Sequence, residues 1–367
     1  MFSVKSCMEL KKQSGLIQTL QTQWLAGGWL SNLLLPLSWL TALVVRIKRG
    51  LYASGLKKQN HLPVPVIVVG NIFVGGTGKT PFVLALVAAL RERGWQPGII
   101  SRGYGVKIGP QPRHAYGANA AAAEIGDEPA MLAAAAPIAV HPDRASAAQC
   151  LLQHYPETTV IIADDGLQHL ALARDIEIVV QDARGVGNAR LLPAGPLREP
   201  PSRLNTIDFL ISNASNDVSL SAPGTEAARR QRDKQTGPRR IVMQLVPTQI
   251  IHLKSGLALD PAAWLERHRS TNIVAIAGIG HPPRFFRTLE HAGITVRKTI
   301  AFPDHHPFSE EELAGIQADA ILMTTKDAAK CRNLQDDRPW AVAVSPRFSD
   351  GNFFDEIAQK LESLPLY

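Results

Sequence analysis

The sequence predicts an α/β protein: a parallel sheet with helices on both faces, a smaller C-terminal α/β lobe and an apolar helix ahead of both. Three observations carry that expectation. A β-branched run, Val64-Pro-Val-Ile-Val-Val69, passes through a glycine-rich turn into an Ala/Leu-rich stretch ending at Leu90. Strand, turn and helix in that order open a βαβ unit. A second strand-like run, Thr159-Val-Ile-Ile-Ala163, ends in the acidic pair Asp164-Asp165. Strand patterns then restart at Arg240–Leu245 and Asn272–Gly280, after a stretch that has lost its apolar periodicity.

The length of 367 residues suits two domains. Hydrophobic residues at 45% against charged residues at 19% exclude a disordered chain. Cys7, Cys150 and Cys331 are too scattered for a disulfide framework or a paired-cysteine metal site, so a reducing compartment fits. Lys and Arg number 39 against 32 Asp and Glu, a net charge of +7. The excess gathers at Arg46, Lys48, Arg49, Lys57 and Lys58 and at Arg229-Arg230-Gln231-Arg232, without interleaved aromatics. A nucleic-acid partner is therefore not expected.

From Gln13 to Val45 no side chain is charged. Leu25–Val45 is long enough to reach across a bilayer core at about 1.5 Å per residue. Trp24, Trp29 and Trp39 suit a headgroup boundary, and the basic cluster beyond Val45 suits an anionic face. Pro36 and the polar Gln21, Gln23, Ser31, Asn32 and Ser38 interrupt the run. A helix lying in the membrane interface is the first expectation, ahead of a single span and of a buried core helix. The chain is thus divided into a membrane-docking segment (1–60), a core with the glycine-rich turn (61–212), a linker or exposed excursion (213–240) and a C-terminal lobe (241–367).

The turn reads Phe73-Val74-Gly75-Gly76-Thr77-Gly78-Lys79-Thr80. It is a phosphate loop in the right strand–turn–helix setting, although Phe73 stands where the GxxxxGK pattern places its first glycine. Glycines let backbone N–H groups wrap phosphate oxygens, and the helix N-terminus adds a favourable dipole. Lys79 would reach the β- and γ-phosphates of the nucleotide, and the Thr80 hydroxyl would ligate Mg²⁺. Asp164 and Asp165 end the partner strand, where carboxylates hold Mg²⁺ or its waters; which of the two makes contact is left open. Arg102, Asp127 and Arg144 lie in polar clusters that follow strands or open helices. All of them can face one crevice at the carboxyl edge of the sheet. The arginines suit anions, and Asp127 suits a general base.

These residues fall into an ordered set: Gly70-Asn-Ile-Phe-Val-Gly-Gly-Thr-Gly-Lys-Thr80, Ser101-Arg-Gly-Tyr-Gly105, Gly126-Asp-Glu-Pro129, Asp164-Asp-Gly-Leu-Gln-His169, Pro196-Leu-Arg-Glu199, Ala277-Gly-Ile-Gly280, Phe302-Pro-Asp-His-His306 and Thr324-Thr-Lys-Asp327. Together they resemble the tetraacyldisaccharide 4′-kinases, the lipid A 4′-kinases of Gram-negative bacteria, from about Val64 to Asp327. The resemblance implies transfer of the ATP γ-phosphoryl, with Mg²⁺, to the 4′-hydroxyl of a tetraacylated glucosamine disaccharide 1-phosphate. The product would be lipid IVA, made at the cytoplasmic face of the inner membrane, with no oligomer required. It further implies that Asp127 takes the hydroxyl proton with His305 as its partner, His306 remaining an alternative. Arg102, Gly105, Arg144 and His169 would contact the disaccharide, and Arg198 and Glu199 would form a pair near the nucleotide. Leu167 departs from the family, where an aromatic is common.

Competing readings have their own residues. Thr325-Lys326-Asp327 is one spacer short of the guanine-reading N/T-K-x-D of a GTPase. A membrane-anchored ATPase acting only by binding would leave Asp127 and His305 without a task. Gly278-x-Gly280 is expected to be a tight βα turn rather than a dinucleotide site. Asp304-His305-His306 lacks a third ligand group for zinc.

Overall fold

The computed structural model describes residues 23–25, 27–117, 120–214, 237–304, 306–331 and 334–365. Residues 215–236, most of the expected linker, and residues 1–22 lie outside that set, as does His305. The described chain divides into two compact units. One holds the residues up to Ser212, those from 237 to Ile241 and those from Gly351 onward; the other holds Asn213 and Ala214 with Val242–Asp350.

The first unit opens with two helices, α1 (Trp29–Leu33) and α2 (Leu35–Ala53). Pro36 lies in the first turn of α2. The missing N–H costs nothing there, so the proline starts a helix rather than breaking one. Strand β1 (Val66–Gly70), helix α3 (Lys79–Glu92) and strand β2 (Pro97–Ser101) follow. After β3 (Arg113–Ala115) come α4 (Asp127–Ala133), β4 (Ile138–Val140), α5 (Arg144–His154), β5 (Val160–Asp164), β6 (Ile176–Asp182) and β7 (Phe209–Asn213). The strand order is β7-β6-β1-β5-β2-β4-β3. Strands β6, β1, β5, β2 and β4 pair in parallel, and β3 runs antiparallel at the edge.

Every residue of β1, β2, β4 and β5 is buried. That is the hydrophobic signature of a sheet covered on both faces. On one face Val68, Ile100, Ile161, Ala163 and Leu167 join Leu191 and Leu197 in a core. Helix α3 buries Phe82, Val83, Leu86 and Leu90 of its own.

The second unit is a sheet in the order β11-β10-β12-β13-β8, with β9 (Ala258–Leu259) on β8. Strands β10 (Ile273–Ala277), β11 (Lys298–Ala301), β12 (Ala320–Thr324) and β13 (Pro339–Phe348) are parallel, and β8 (Arg239–His252) runs antiparallel to β13. Helices α6 (Pro282–His291) and α7 (Thr325–Cys331) follow β10 and β12. Trp264, Phe285, Leu289 and Trp340 fill one core, and Phe308, Leu313, Ile321 and Met323 another.

One boundary needs correction. The C-terminal lobe was expected to run through 367, but α8 (Phe353–Glu362) belongs to the first unit. Its apolar face, Phe353, Ile357 and Leu361, is buried, with Phe353 stacked on Phe82 at 6.4 Å and packed against Phe209. Burying such a ring is worth about 2–3 kcal/mol. Arg93 to Asp355 and Lys360 to Asp208 fasten the rim.

Candidate active site

Strands β1 and β5 are neighbours with Val69 opposite Asp164, so the loop after β1 and the acidic pair after β5 emerge side by side at the carboxyl edge. Chain order also switches sides at this place, since β6 follows β5 in sequence but lies across β1. Such a switch point opens a crevice for ligands.

The phosphate loop is shaped by glycines where the backbone demands them. Gly75 and Gly78 have φ of 99° and 96°, left-handed values that favour glycine. Phe73, in place of the first glycine, is buried and bridges to Leu197, and the Val74 N–H donates to the Pro196 carbonyl at 2.9 Å. The start of the loop is thus tied to the 190s segment. The Asn71 side chain donates to the Gly75 carbonyl at 3.0 Å, and Arg184 donates to that of Gly76 at 3.0 Å while covering the Phe73 ring at 4.3 Å. Gly76 is exposed, Thr77 is buried, and Lys79 and Thr80 form the first turn of α3.

Lys79 Nζ lies 3.3 Å from Asp165 Oδ1, and Arg198 lies 3.0 Å from Asp165 Oδ2. Asp165 itself has φ of 50°, a turn that brings its carboxylate back over the loop. Burial pushes this carboxyl upward, but Lys79 and Arg198 outweigh it and hold it down at about 2. Asp164 behaves oppositely. Burial raises it to about 6 against the pull of Lys79, with Glu128 and Asp165 adding to the rise. Ser101 Oγ donates to it at 3.3 Å. Two adjacent carboxyls with divergent proton affinities are a recurring mark of functional sites.

Around this pair the first unit brings together most of the residues singled out from sequence. Asp127 starts α4, which packs against α3, and its neighbour Glu128 is close enough to act electrostatically on Asp164. Gly126 before it has φ of 100° and room for no side chain, since a Cβ would meet the Tyr104 carbonyl at 2.8 Å. Asp143 caps α5, and the buried Arg144 donates to the His141 carbonyl at 2.9 Å. Burial lowers the Arg144 guanidinium to about 10, with Asp164 and Asp165 opposing. Arg102 is exposed just beyond β2, and Gly105 turns with φ of 89°. Burial, then Arg144, Lys48 and Arg102, depress His169 to about 4, leaving it neutral at pH 7. Glu199 is buried between Arg49 at 3.3 Å, Arg203 at 3.3 Å and the Gln168 amide at 2.7 Å. Leu167 is fully buried over Gly70, whose Cβ position lies 2.6 Å from the Leu167 Cβ, so the departure from an aromatic is a packing matter.

His306, in the second unit, is committed to Glu312 at 3.0 Å and stacked on Phe302 at 4.7 Å. Among the described residues no group of three or more His, Cys, Asp or Glu could hold a metal. The GTPase reading fails on Asp327. Fully buried, it accepts from the Gly278 N–H at 3.1 Å and the Thr324 hydroxyl at 2.7 Å and so cannot read a base. The same contact makes Gly278 a tight turn.

The sequence alone assigned no role in the site to Asn71, Gln168, Arg184 or Lys48. Gln168 bonds the Asn71 carbonyl at 3.1 Å and Arg198 at 3.3 Å. It lay inside a quoted motif, whereas Arg184 had only the polar end of the Ile176–Asp182 strand to announce it. Lys48 donates to the Gln168 carbonyl at 3.1 Å.

The N-terminal helices lie on the 190s segment. Trp24 donates to the Pro193 carbonyl at 2.9 Å, Ser38 to that of Leu191 at 2.9 Å, and Ser31 to that of Ala194. Trp29, Leu33, Leu37, Leu40, Val44 and Ile47 stay exposed on helical spacing. That exposure overturns the buried-helix alternative. No helix among the described residues is long and apolar enough to cross a membrane.

Comparison with known proteins agrees with this geometry. The profile of the tetraacyldisaccharide-1-P 4′-kinases matches residues 30–362. A tetraacyldisaccharide 4′-kinase of Bordetella petrii is 51% identical over 96% of this chain and 98% of its own, and one of Shewanella baltica is 44% identical over 91% of each. The crystal structure of LpxK from Aquifex aeolicus in complex with ATP superposes with a TM-score of 0.72 at 27% identity, covering 90% of this chain and 99% of that one. The chain therefore belongs to the tetraacyldisaccharide-1-P 4′-kinase family.

Proposed function

We propose that this chain transfers the γ-phosphoryl of ATP to the 4′-hydroxyl of a tetraacylated glucosamine disaccharide 1-phosphate, giving lipid IVA in lipid A biosynthesis. The observation that carries the reading is the Lys79–Asp165–Arg198 cluster over the phosphate loop, one strand from the loop's own origin. A sugar hydroxyl is a weak nucleophile, so alignment and charge neutralisation supply most of the acceleration. The Phe73–Thr80 loop holds the triphosphate by its N–H groups, and Lys79 exchanges Asp165 for the β- and γ-phosphates. Asp127 takes the hydroxyl proton with His305 as its partner, since His306 is already held by Glu312. A positioned base adds about 10²–10⁴-fold. Arg102, Gly105, Arg144 and His169 receive the disaccharide, while Arg198 and Glu199 brace the nucleotide side.

Mg²⁺ fits the donors present. A phosphate-loop site supplies one or two carboxylates and a hydroxyl and takes its remaining ligands from phosphates and water. Thr80, Asp164 and Asp165 are that set, and Asp165 is ionised before any ligand arrives. When bound, the ion neutralises charge on the transferring phosphoryl.

The exposed apolar stripe of α1 and α2 docks on the cytoplasmic face of the inner membrane, where the acyl chains of the acceptor reside. Phosphate loop, acidic pair and Asp127 all belong to one chain, so no oligomer is required. Incubating the purified protein with Mg²⁺, γ-³²P-ATP and the acceptor in mixed micelles should yield labelled lipid. Label released only as inorganic phosphate would overturn the reading. The double variant Leu40→Glu with Val44→Glu should lose sedimentation with anionic vesicles while keeping the melting temperature unchanged.

A further inference from the structure

The phosphate loop opens on a phenylalanine, and a cation from the neighbouring strand's end stands on its ring. Strand β6 runs beside β1 with Val179 opposite Gly70, so Phe73 and Asp182 leave the sheet at the same level. The chain turns directly after Asp182, where the Arg184 N–H donates to Asp182 Oδ1 at 3.1 Å. The Arg184 guanidinium returns to the same carboxylate, with Nε 3.0 Å from both oxygens and Nη2 2.7 Å from Oδ2. Fixed in this way, it covers the Phe73 ring at 4.3 Å and gives Nη2 to the Gly76 carbonyl at 3.0 Å. Gly187 packs on the ring as well. Its φ is 54°, and a Cβ there would lie 3.4 Å from Phe73 Cε2.

A loop that cradles phosphate turns its N–H groups inward, so its carbonyls point away and need donors of their own. Two successive carbonyls have them, Gly75 from Asn71 and Gly76 from Arg184. Gly76 is the weaker point of the loop. It has no side chain, and a Cβ there would meet nothing within 4 Å, so hydrogen bonding rather than packing fixes its peptide. A flipped peptide would aim a carbonyl dipole at the triphosphate and take an N–H away from it. The Arg184 charge is already matched by Asp182, whose side chain is only 6% exposed. What the guanidinium brings to the loop is therefore direction more than field. Its planar fork can hold a carboxylate, a carbonyl and a ring face together, which a lysine cannot.

Resting on the reading of residues 73–80 as the ATP site, we propose that Arg184 is a positioning residue for phosphoryl transfer. Braced by Asp182 and the Phe73 ring, it holds the Gly76 carbonyl outward so that the loop's N–H groups meet the triphosphate. A glycine at 73 would offer no such platform, so the departure from the GxxxxGK pattern and the arginine are two halves of one device.

The test measures Mg-ATP affinity of the full-length protein by calorimetry, without acceptor, alongside KM for the acceptor and the melting temperature. Arg184→Ala should weaken Mg-ATP about tenfold, the effect of losing one charge-assisted hydrogen bond. KM for the acceptor should stay within twofold, and melting should fall by no more than a few degrees. Asp182→Asn sets the sign. A positioning arginine released from its brace should bind Mg-ATP more weakly, by roughly threefold, whereas an arginine acting on ATP through its charge would bind it more tightly once Asp182 is neutralised. Phe73→Leu, which keeps an apolar side chain and removes the ring face, should also weaken Mg-ATP. Combining Asp182→Asn with Arg184→Ala should cost no more than Arg184→Ala alone. Tighter binding by Asp182→Asn, wild-type affinity in Arg184→Ala, or fully additive losses would each overturn the assignment. So would equal losses on ATP and acceptor accompanied by a large drop in melting. Wild type that binds Mg-ATP and labels no lipid would sink the lipid-kinase reading alone.

Discussion

After β5, Asp165 sits 35% exposed with Lys79 and Arg198 on its two oxygens. After β12, Asp327 sits fully buried, bonded to the Gly278 N–H and the Thr324 hydroxyl, with Lys330 at 3.5 Å. Both aspartates follow a parallel strand, and both have a lysine at hand. In the second unit every contact of Asp327 is a fold contact, tying the turn after β10 to the one after β12. In the first unit the carboxylate is reachable, and its partners are long side chains that can turn to an incoming phosphate. Strand-edge acid alone is therefore not a site. An acid becomes one when its partners are exchangeable and its face is open to ligand.

Substitutions at the two edges should separate chemistry from stability. The largest effect belongs to the first unit: Lys79→Ala should cut turnover by ~10³-fold, and Asp127→Ala by ~10²–10⁴-fold. Neither should shift the melting temperature by more than a few degrees. Near-full turnover of Asp127→Ala across pH would remove the base assignment.

Next in size is Asp327→Ala, which strands a buried lysine and two donors. The loss of one partner of a buried pair costs about 3–5 kcal/mol. Thermal melting should fall by roughly 10 °C, and the folded fraction should still bind ATP. Asp165→Ala should do the reverse, abolishing turnover with little change in melting. Equal destabilisation by the two would erase the contrast.

The first edge was legible because its chemistry is local in sequence. A glycine-rich turn before Lys79 and a strand closing on Asp164-Asp165 each announce themselves within ten residues. Gln168 and Arg184 were not legible, because their partners Glu199 and Gly76 lie 31 and 108 residues away in sequence, whereas Asn71 reaches only to Gly75, four residues on, and lay within a local reading. The second unit showed its strands but hid its meaning. Thr325–Asp327 resembled a base-reading motif until burial showed where the carboxylate points. The return of α8 to the first unit was hidden for a related reason: the amphipathic pattern of Phe353–Glu362 says that one face is buried, not against which sheet.

The smallest effect tests the acid beside Asp165. Asp164 carries its proton up to about 6, against an unperturbed 3.8, mainly because it is buried. A carboxyl raised in the native state binds its proton more tightly folded than unfolded. Its ionisation therefore costs stability above about pH 6, and that cost fades as pH falls toward 3.8. Asp164→Asn keeps an acceptor for Ser101 and removes the charge, so it should raise the melting temperature at pH 8 by a few degrees. The gain should vanish near pH 4. The same proton competes with Mg²⁺, so wild type should need more Mg²⁺ for half-maximal rate as pH drops through about 6, while Asp164→Asn should lose rate at every Mg²⁺ concentration. A variant less stable than wild type at pH 8 would mean that the buried carboxylate is held by partners as firmly as Asp327 is, and the two sheet edges would then differ in exposure alone.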